Sequence, residues 1–203
     1  MERSGAAVRL VPCGALNFKV TRPEDAVVAG LLAGGEGKEG EAMREMRVGQ
    51  GFDNHRLCSG RRLVLGGVEI PFELGLDGHS DADALLHALT DAVLGAAGLG
   101  DIGEHFPPSD MRWKGADSRE LLGQVMREVR AAGWEVVNAD ATVLAERPKL
   151  AAWKPRIRES VARALGIDPA RVNIKAKTKE GQDSVGEMRS IEAQAAVLLE
   201  RVR

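Results

Sequence analysis

From residue 47 onward, hydrophobic and polar positions alternate in blocks that predict a mixed succession of strands and helices. Leu85, Leu86, Leu89 and Val93 recur at helical spacing, and similar stripes mark two later segments. Helices are predicted at His79 to Ala97, Asp117 to Ala132 and Ala151 to Leu165, and strands at Arg47 to Asp53, Arg62 to Ile70, Trp134 to Ala145 and Val172 to Ala176. This order predicts an α/β fold of the α+β sandwich type.

Two local features need interpretation. Ser190 to Arg203 alternates like a strand, although its alanines and leucines would also suit a helix. We predict a strand. Ser80 followed by Asp83 resembles a capping box, which would place the start of the first helix at Ser80.

A glycine-rich and charged run, Gly34 to Glu41, marks the clearest boundary in the chain, because it offers nothing to bury. We therefore predict a short segment at residues 1–33, a linker at 34–46 and one compact domain at 47–203. The bend of the second predicted strand falls at Gly66 and Gly67.

Composition excludes several classes of protein. The 203 residues suffice for one sizeable core, and 44% hydrophobic with 29% charged residues is an ordinary globular balance. A net charge of −2 gives no support for nucleic-acid binding. We find no apolar run of about 20 residues and no secretory h-region. Cys13 and Cys58 show no pairing pattern, so a cytoplasmic location is expected.

Two acid- and histidine-containing clusters are candidates for a metal site. Asp53 and His55 are two residues apart, so in an extended segment their side chains point to the same side. His79, Asp83 and His87 recur every four residues and would share one helical stripe. Each residue alone is better explained as a turn or core residue, but jointly they favour a catalytic site with one Asp and two His ligands.

Other groups suit phosphate oxygens. His79 and Ser80 lie where the first helix is predicted to begin, and free N–H groups there favour anions. Plain capping by Ser80 is compatible with that role. Arg147-Pro148-Lys149 and Lys177-Thr178-Lys179-Glu180 follow strands, although lysines there are usually solvated surface. His105 has no partner in the pattern and is predicted to be on the surface.

Together these motifs resemble the 2-C-methyl-D-erythritol 2,4-cyclodiphosphate synthase family. The matching motifs occur in the family's order over residues 47–203: Gly51-Phe52-Asp53-x-His55, Gly78-His79-Ser80-Asp81-x-Asp83, His87-Ala88-Leu89-Thr90-Asp91, Gly100-Asp101-Ile102-Gly103, Phe106-Pro107 and Arg147-Pro148-Lys149. The resemblance implies a mixed β-sheet packed on one side by helices, and a homotrimer whose active sites lie between subunits.

The resemblance also implies site residues. Asp53, His55 and His87 would hold a divalent metal, usually zinc, and His79 and Thr178 would stabilise the transition state. Contacts with the CDP-linked substrate would come from Asp53, His55, His79, Ser80, Asp101, Gly103, Phe106, Asp110, Ala145, Pro148, Lys149, Lys177, Thr178 and Glu180. Glu180 would bind magnesium or manganese on the diphosphate. The substrate's own 2-phosphate attacks the β-phosphorus and CMP leaves, so no protein nucleophile is required.

One position departs from the family. Near Gly186 the family has a basic residue, a glycine and then an acidic residue, whereas Glu187-Met188-Arg189 has the charges exchanged. We expect a swapped ion pair to preserve the structure, and we assign no anion contact to Glu187.

The first segment resembles a second family. Val11-Pro12 and Leu16 to Asp25 look like the C-terminal tail of the cytidylyltransferase that is fused to the synthase in many bacteria. Lys19 matches a functional lysine of that family, but it has none of the nucleotide-binding sheet around it. A fused cytidylyltransferase domain in a parent protein is therefore a hypothesis, and cytidylyltransferase activity is not expected here.

Two other functions would use the same residues. A metal-dependent phosphohydrolase could employ an Asp/His/His site to activate water. A trimeric scaffold or small-ligand binder would need no metal chemistry. The synthase is favoured because it accounts for all the motifs together.

Overall fold

The computed structural model describes residues 44–202, so Cys13, Lys19, the segment predicted at 1–33 and residues 34–43 of the predicted linker lie outside it. The strands are β1 (Arg44–Cys58), β2 (Leu63–Leu65), β3 (Val68–Ile70), β4 (Gly75–Leu76), β5 (Glu135–Leu144), β6 (Val172–Lys177) and β7 (Ser190–Val202). The α-helices are α1 (Ala84–Ala97), α2 (Ile102–His105), α3 (Ser118–Ala131), α4 (Lys154–Leu165) and α5 (Asp183–Gly186), with 3₁₀ turns at Met111–Trp113 and Pro169–Arg171.

The main sheet is mixed and has the strand order β4-β1-β7-β5-β6. β7 is central and antiparallel to both β1 and β5, while β5 and β6 are parallel. The segment with the ambiguous pattern is therefore a strand, as predicted. Its alternation was informative because Ile191, Ala193 and Ala195 are all buried against the core. The predicted α+β fold with a mixed sheet is confirmed.

Helices cover one face of this sheet. The core is built mainly from leucine, valine, isoleucine and alanine, and α1 lies across β1 and β7. Two glycines allow the close approach: a Cβ at Gly49 would lie 1.8 Å from the Ala92 carbonyl oxygen, and one at Gly51 would lie 1.9 Å from that of Ala88. Because no side chain separates β1 from α1 here, the ends of both elements can contribute to a common site.

The opposite face of the sheet is open in the described part of the chain. Met46, Val48 and Phe52 on β1 are 55%, 75% and 47% exposed. Val48 lies opposite Leu198 in the register of β1 and β7. Apolar side chains in a row on a solvent-facing sheet indicate a surface that is covered by something else.

The first long helix begins later than predicted. α1 starts at Ala84, and its N-cap is Asp83 rather than Ser80. The Asp83 carboxylate is fully buried and accepts hydrogen bonds from the N–H groups of Gly66 (2.8 Å), Gly67 (2.6 Å) and Leu86 (3.1 Å). The capping box at Ser80 and the helical stripe through His79 and Asp83 were both wrong, because those residues precede the helix.

Two other predictions concern boundaries. β1 begins at Arg44, so residues 44–46, expected in the linker, are part of the strand. The extended segment from Arg62 to Ile70 is the hairpin β2-β3, and it turns at Gly66 and Gly67, which have φ of +61° and +73°. None of the helices in residues 44–202 has the length and apolar character needed to cross a membrane.

Candidate active site

Asp53, His55 and His87 converge on one point between β1 and α1. Asp53 Oδ2 lies 3.0 Å from His55 Nε2 and 2.9 Å from His87 Nδ1, and the two ring nitrogens are 3.1 Å apart. Asp53 and His55 share a face of β1, and the close packing of α1 on the glycines of that strand brings in His87. Their side chains are 25%, 18% and 12% exposed, so the cluster is shielded but reachable.

The donor atoms fit a divalent metal ion. One carboxylate oxygen and two imidazole nitrogens all lie within 4.8 Å of one another, and two nitrogens with one oxygen are a ligand set that suits zinc. His55 Nδ1 is 2.8 Å from the Asp77 carbonyl oxygen. Since a carbonyl only accepts, Nδ1 carries the proton and the lone pair of Nε2 faces the cluster.

The electrostatics of the cluster favour a carboxylate beside imidazoles. Burial by itself raises the pKa of Asp53, but hydrogen bonds and charge interactions with His55 and His87 outweigh it and lower the pKa to about 2. Burial works to lower the pKa of His55, and the hydrogen bond to Asp53 reverses this, so the pKa is raised above 6.5. Both shifts favour the charged forms of the two groups, a carboxylate beside an imidazolium.

His79 does not join this cluster. Its Nε2 lies 3.3 Å from the Asp110 carbonyl oxygen. Ser80 is buried, and its Oγ lies 3.1 Å from His87 Nε2. The expectation that His79 and Ser80 use free N–H groups of the helix was wrong, because the buried Asp83 carboxylate already occupies the N-terminus of α1. Both side chains instead face a cavity beside the triad.

That cavity has a volume of about 280 Å³, and apolar side chains line it together with the histidines. It is lined by His55, His79, Ser80, His87, Ile102, Gly103, Phe106, Pro108, Trp113 and Leu121. Gly103 and Phe106 were predicted to meet the substrate. Trp113 and Leu121 were not predicted. Trp113 packs edge-to-face on Phe106, with ring centroids 4.9 Å apart.

Two predicted contact residues hold the loops around this cavity. The Asp101 carboxylate accepts from the Glu104 N–H at 3.0 Å and caps α2. Asp110 accepts from the Arg112 N–H at 3.0 Å and pairs with the Arg112 guanidinium, whose hydrogen bond lowers the pKa of Asp110. Neither carboxylate is part of the cavity wall. Their direct contact with a substrate stays a prediction.

Asp91 connects α1 to the same loops; it belongs to one of the family motifs in the sequence, but no role was predicted for it. Its carboxylate accepts from the Ile102 N–H at 2.8 Å. Burial raises the pKa of Asp91, which the hydrogen bond from Ile102 only partly opposes. The helix that carries His87 is thus tied directly to α2, whose residues Ile102 and Gly103 line the cavity.

A second cavity, of about 180 Å³, lies at the ends of β5 and β6. It brings together predicted nucleotide contacts and their neighbours: Ala145, Pro148, Lys149, Leu150, Ala151, Lys154, Ala176, Lys177 and Thr178. Glu180 has φ +53° and accepts a hydrogen bond from the Thr178 hydroxyl at 3.2 Å. The two cavities share no lining residue, and β7 lies between β1 and β5 in the sheet.

Two further expectations can be compared with the structure. The exchanged charges do form an ion pair, with Arg189 Nε 2.7 Å from Glu187 Oε2. His105 is not a free surface residue: Nε2 is 2.8 Å from the Leu99 carbonyl oxygen and Nδ1 is 3.4 Å from Glu128 Oε2. His105 is partly exposed, at 20% of its side chain, but it has two partners that its sequence pattern did not indicate.

Comparison with known proteins gives a consistent result. The YgbB family matches residues 46–200. A 2-C-methyl-D-erythritol 2,4-cyclodiphosphate synthase of Neisseria gonorrhoeae is 61% identical over 160 residues, which cover 79% of this chain and 100% of that protein. A bifunctional IspD/IspF enzyme of Albidiferax ferrireducens is 48% identical over 99% of this chain and 51% of its own length.

A solved structure of a 2-C-methyl-D-erythritol 2,4-cyclodiphosphate synthase, in a form with CDP bound, superimposes with a TM-score of 0.70. It is 42% identical and covers 75% of this chain and 99% of its own. Sequence and structure therefore agree on the same group of enzymes.

Proposed function

Because this chain belongs to the YgbB family and is a cyclodiphosphate synthase, we propose that its two cavities hold the two ends of one CDP-linked substrate. The substrate is 4-diphosphocytidyl-2-C-methyl-D-erythritol 2-phosphate. The cavity beside Asp53, His55 and His87 takes the methylerythritol part. The cavity at Lys149 and Thr178 takes the cytidine part.

The reaction needs positioning and charge stabilisation rather than a protein nucleophile. An oxygen of the substrate's 2-phosphate forms a bond to the β-phosphorus of the diphosphate. The bond from that phosphorus to the bridging oxygen breaks, and CMP leaves with the electron pair. Holding two ends of one molecule together in this way removes much of the entropic barrier. Positive groups beside the phosphoryl oxygens offset the charge that develops on them.

The first cavity supplies one set of these groups. A divalent metal held by Asp53, His55 and His87, zinc by its ligand set, would supply Lewis-acid stabilisation of phosphoryl oxygens. His79 and Ser80 face the same cavity and donate hydrogen bonds to the phosphates. Phe106, with Trp113 packed on it, shields the apolar part of the substrate from water.

The second cavity supplies the other set. Lys149 and Lys177 provide positive charge, and Ala145 and Pro148 form the apolar wall on which the base rests. The Thr178 hydroxyl donates to Glu180 in the substrate-free chain. When a cation takes up the Glu180 carboxylate, the hydroxyl can turn to donate to a phosphoryl oxygen and stabilise the transition state, as His79 does from the other side. Glu180 also offers a carboxylate for a magnesium or manganese ion on the diphosphate.

We propose that the enzyme is a homotrimer in which one subunit's second cavity faces the first cavity of its neighbour. The support is twofold. Neither cavity alone contains all the groups that the substrate requires, and they share no residue in one chain. The open sheet face with Met46, Val48 and Phe52 offers an apolar surface for subunits to bury.

We also propose that residues 1–33 derive from a cytidylyltransferase tail. The support is the bifunctional relative, which matches across nearly the whole chain.

The cysteine pattern supports cytoplasmic action.

The convergence of Asp53, His55 and His87 beside a substrate-sized cavity carries the proposal. The test is incubation of the zinc-loaded protein with the CDP-linked substrate, followed by phosphorus NMR. Cyclic diphosphate and CMP in equal amounts are expected. An uncyclised bisphosphate product would instead identify a phosphohydrolase. Unchanged turnover after Asp53→Asn would rule out a catalytic metal and favour a binding role for this cluster.

A further inference from the structure

The nitrogen of His87 that faces away from the triad has two hydroxyl neighbours. Nε2 lies 2.9 Å from Ser118 Oγ and 3.1 Å from Ser80 Oγ. Ser118 is 1% exposed and Ser80 is 7% exposed, so solvent does not compete for these hydrogen bonds. The proton positions at Nε2 are therefore determined by the hydroxyls and by what lies behind them.

The hydroxyl proton of Ser118 is donated to a specific acceptor. Ser118 Oγ donates a short hydrogen bond to Asp81 Oδ1, and the Ser118 N–H donates to Oδ2 of the same carboxylate at 3.1 Å. A carboxylate only accepts. With its proton directed to Asp81, Ser118 Oγ presents lone pairs to His87, and Nε2 must be the donor.

Asp81 is itself held in place. Its Oδ1 accepts from the Asp83 N–H at 3.2 Å, and its own N–H donates to the Ala116 carbonyl oxygen at 3.0 Å. The carboxylate is thus fixed between the start of α1 and the loop that leads into α3. It cannot rotate away from Ser118 without breaking these bonds.

We propose that Ser118 and Asp81 form a relay that keeps the proton of His87 on Nε2 and leaves the Nδ1 lone pair for the metal ion. Both are positioning residues, since they act through His87 and are absent from the wall of the substrate cavity. The inference rests on the proposed metal site. A carboxylate that orients a ligating histidine through one hydroxyl strengthens that ligand and fixes its ring.

Ser80 explains why a relay is needed. Its hydroxyl is also within reach of Nε2, and it could donate there. That arrangement would place the ring proton on Nδ1, where it would compete with the metal ion beside Asp53. With the relay intact, His87 donates from Nε2, and the Ser80 hydroxyl keeps its own proton for a phosphate oxygen in the cavity.

The experiment measures zinc affinity directly, by competition between the apoprotein and a chromophoric chelator. We expect Ser118→Ala to bind zinc roughly 10- to 100-fold more weakly than the wild type. The matched control is Thr90→Ala, which removes another buried hydroxyl from the helix of His87, one bonded only to the Leu86 carbonyl oxygen in this part of the chain. It should bind zinc within about twofold of the wild type, well below the roughly 10- to 100-fold loss typical of outer-sphere partners.

A second measurement, the tautomer of His87 in the apoprotein, tests the relay independently of zinc binding. The chain has four histidines, so the ring nitrogens of ¹⁵N-histidine-labelled apoprotein can be assigned. His87 should be protonated on Nε2 in the wild type and lose that preference in Ser118→Ala. In Asp81→Asn one carboxylate oxygen is replaced by an NH₂ donor. This variant should shift the tautomer of His87 and the zinc affinity in the same direction as Ser118→Ala. It provides the test if Ser118→Ala does not fold.

These measurements test the metal site and the relay separately. Wild-type protein that takes up no zinc would overturn the metal site, while the tautomer of His87 would still decide the relay. Normal zinc binding and an unchanged tautomer in the folded variants would overturn the relay alone.

Discussion

Nε2 of His55 lies 3.1 Å from Nδ1 of His87, although 32 residues separate them and they belong to different elements. Two acceptor nitrogens do not approach this closely unless a proton or a metal ion lies between them or beside them. In this protein Asp53 completes the group with a carboxylate oxygen. The relationship therefore shows a site that is organised around a positive charge.

Removal of one ligand should abolish metal binding. We expect His87→Ala to lower zinc affinity by more than the roughly 10–100-fold typical of an outer-sphere partner, and to remove synthase activity with it. Metal content after dialysis and CMP release measure the two effects. His105→Ala is the control, because it removes a partly buried histidine outside the triad. Equal zinc loss in both variants would contradict the assignment.

The metal-free protein should be most stable in mildly acidic solution. The pKa of Asp53 falls from 3.8 to about 2, so its contribution of about 2 kcal/mol is present above pH 3.8 and lost as the pH falls toward 2. The pKa of His55 is raised, so its contribution is complete below 6.5 and lost as the pH rises through the folded-state pKa. The pair thus contributes most between 3.8 and 6.5.

Zinc should reverse this dependence at the upper end, because ligating histidines must be unprotonated. Thermal unfolding of apo and zinc-loaded protein between pH 5 and pH 8 tests both statements. The increase in Tm on adding zinc is expected to grow with pH. A constant increase across this range would show that His55 is not a ligand.

The contact of α1 with β1 depends on Gly51. In Gly51→Ala the added Cβ would lie 1.9 Å from the Ala88 carbonyl oxygen, so the helix must move, and we expect a loss of about 3 kcal/mol or more. Gly95→Ala is the matched control. That glycine is exposed in α1 with nothing within 4 Å of the added Cβ, so stability should rise by about 0.5–1 kcal/mol. Urea unfolding measures both. Tolerance of Ala at position 51 would mean that the two elements are packed differently.

The open sheet face should govern assembly. Val48→Lys places a charge on a side chain that is 75% exposed in one chain, and we expect it to dissociate the proposed trimer and reduce activity in parallel. Sedimentation velocity with the turnover assay provides the measurement. Glu159→Lys, on the exposed side of α4, is the control and should leave both unchanged. A fully active monomer would refute the idea that subunits share a site.

Much of this site could be predicted because its residues leave local signals. Asp53 and His55 alternate on one strand, and His87 follows an acid-rich motif, so motif and geometry coincide. β7 was identified from alternation alone. The second cavity was also foreseeable, since cations and a hydroxyl at the ends of β5 and β6 meet at one edge of the sheet.

The predictions failed where the role of a residue depends on a partner that is distant in the sequence. Ser80 and Asp83 are both good N-cap residues, and only the N–H groups of Gly66 and Gly67, on a hairpin far away in sequence, select Asp83. Ser118 lies 31 residues from His87 and belongs to no metal-binding motif. Propensity and spacing contain no information about such pairs, which exist only after the chain has folded.

The position of β7 has a consequence for how the domain folds. It follows every other strand in sequence, and it is the only element that joins β1 to β5 within the described sheet. Residues as far apart as Arg44 and Val202 must therefore meet before either half of the sheet is complete. Folding with such non-local pairing is intrinsically slow. One edge of β1 stays unpaired until β7 has formed its hydrogen bonds with it. Refolding should show one late cooperative phase, and aggregation during that interval should increase with protein concentration.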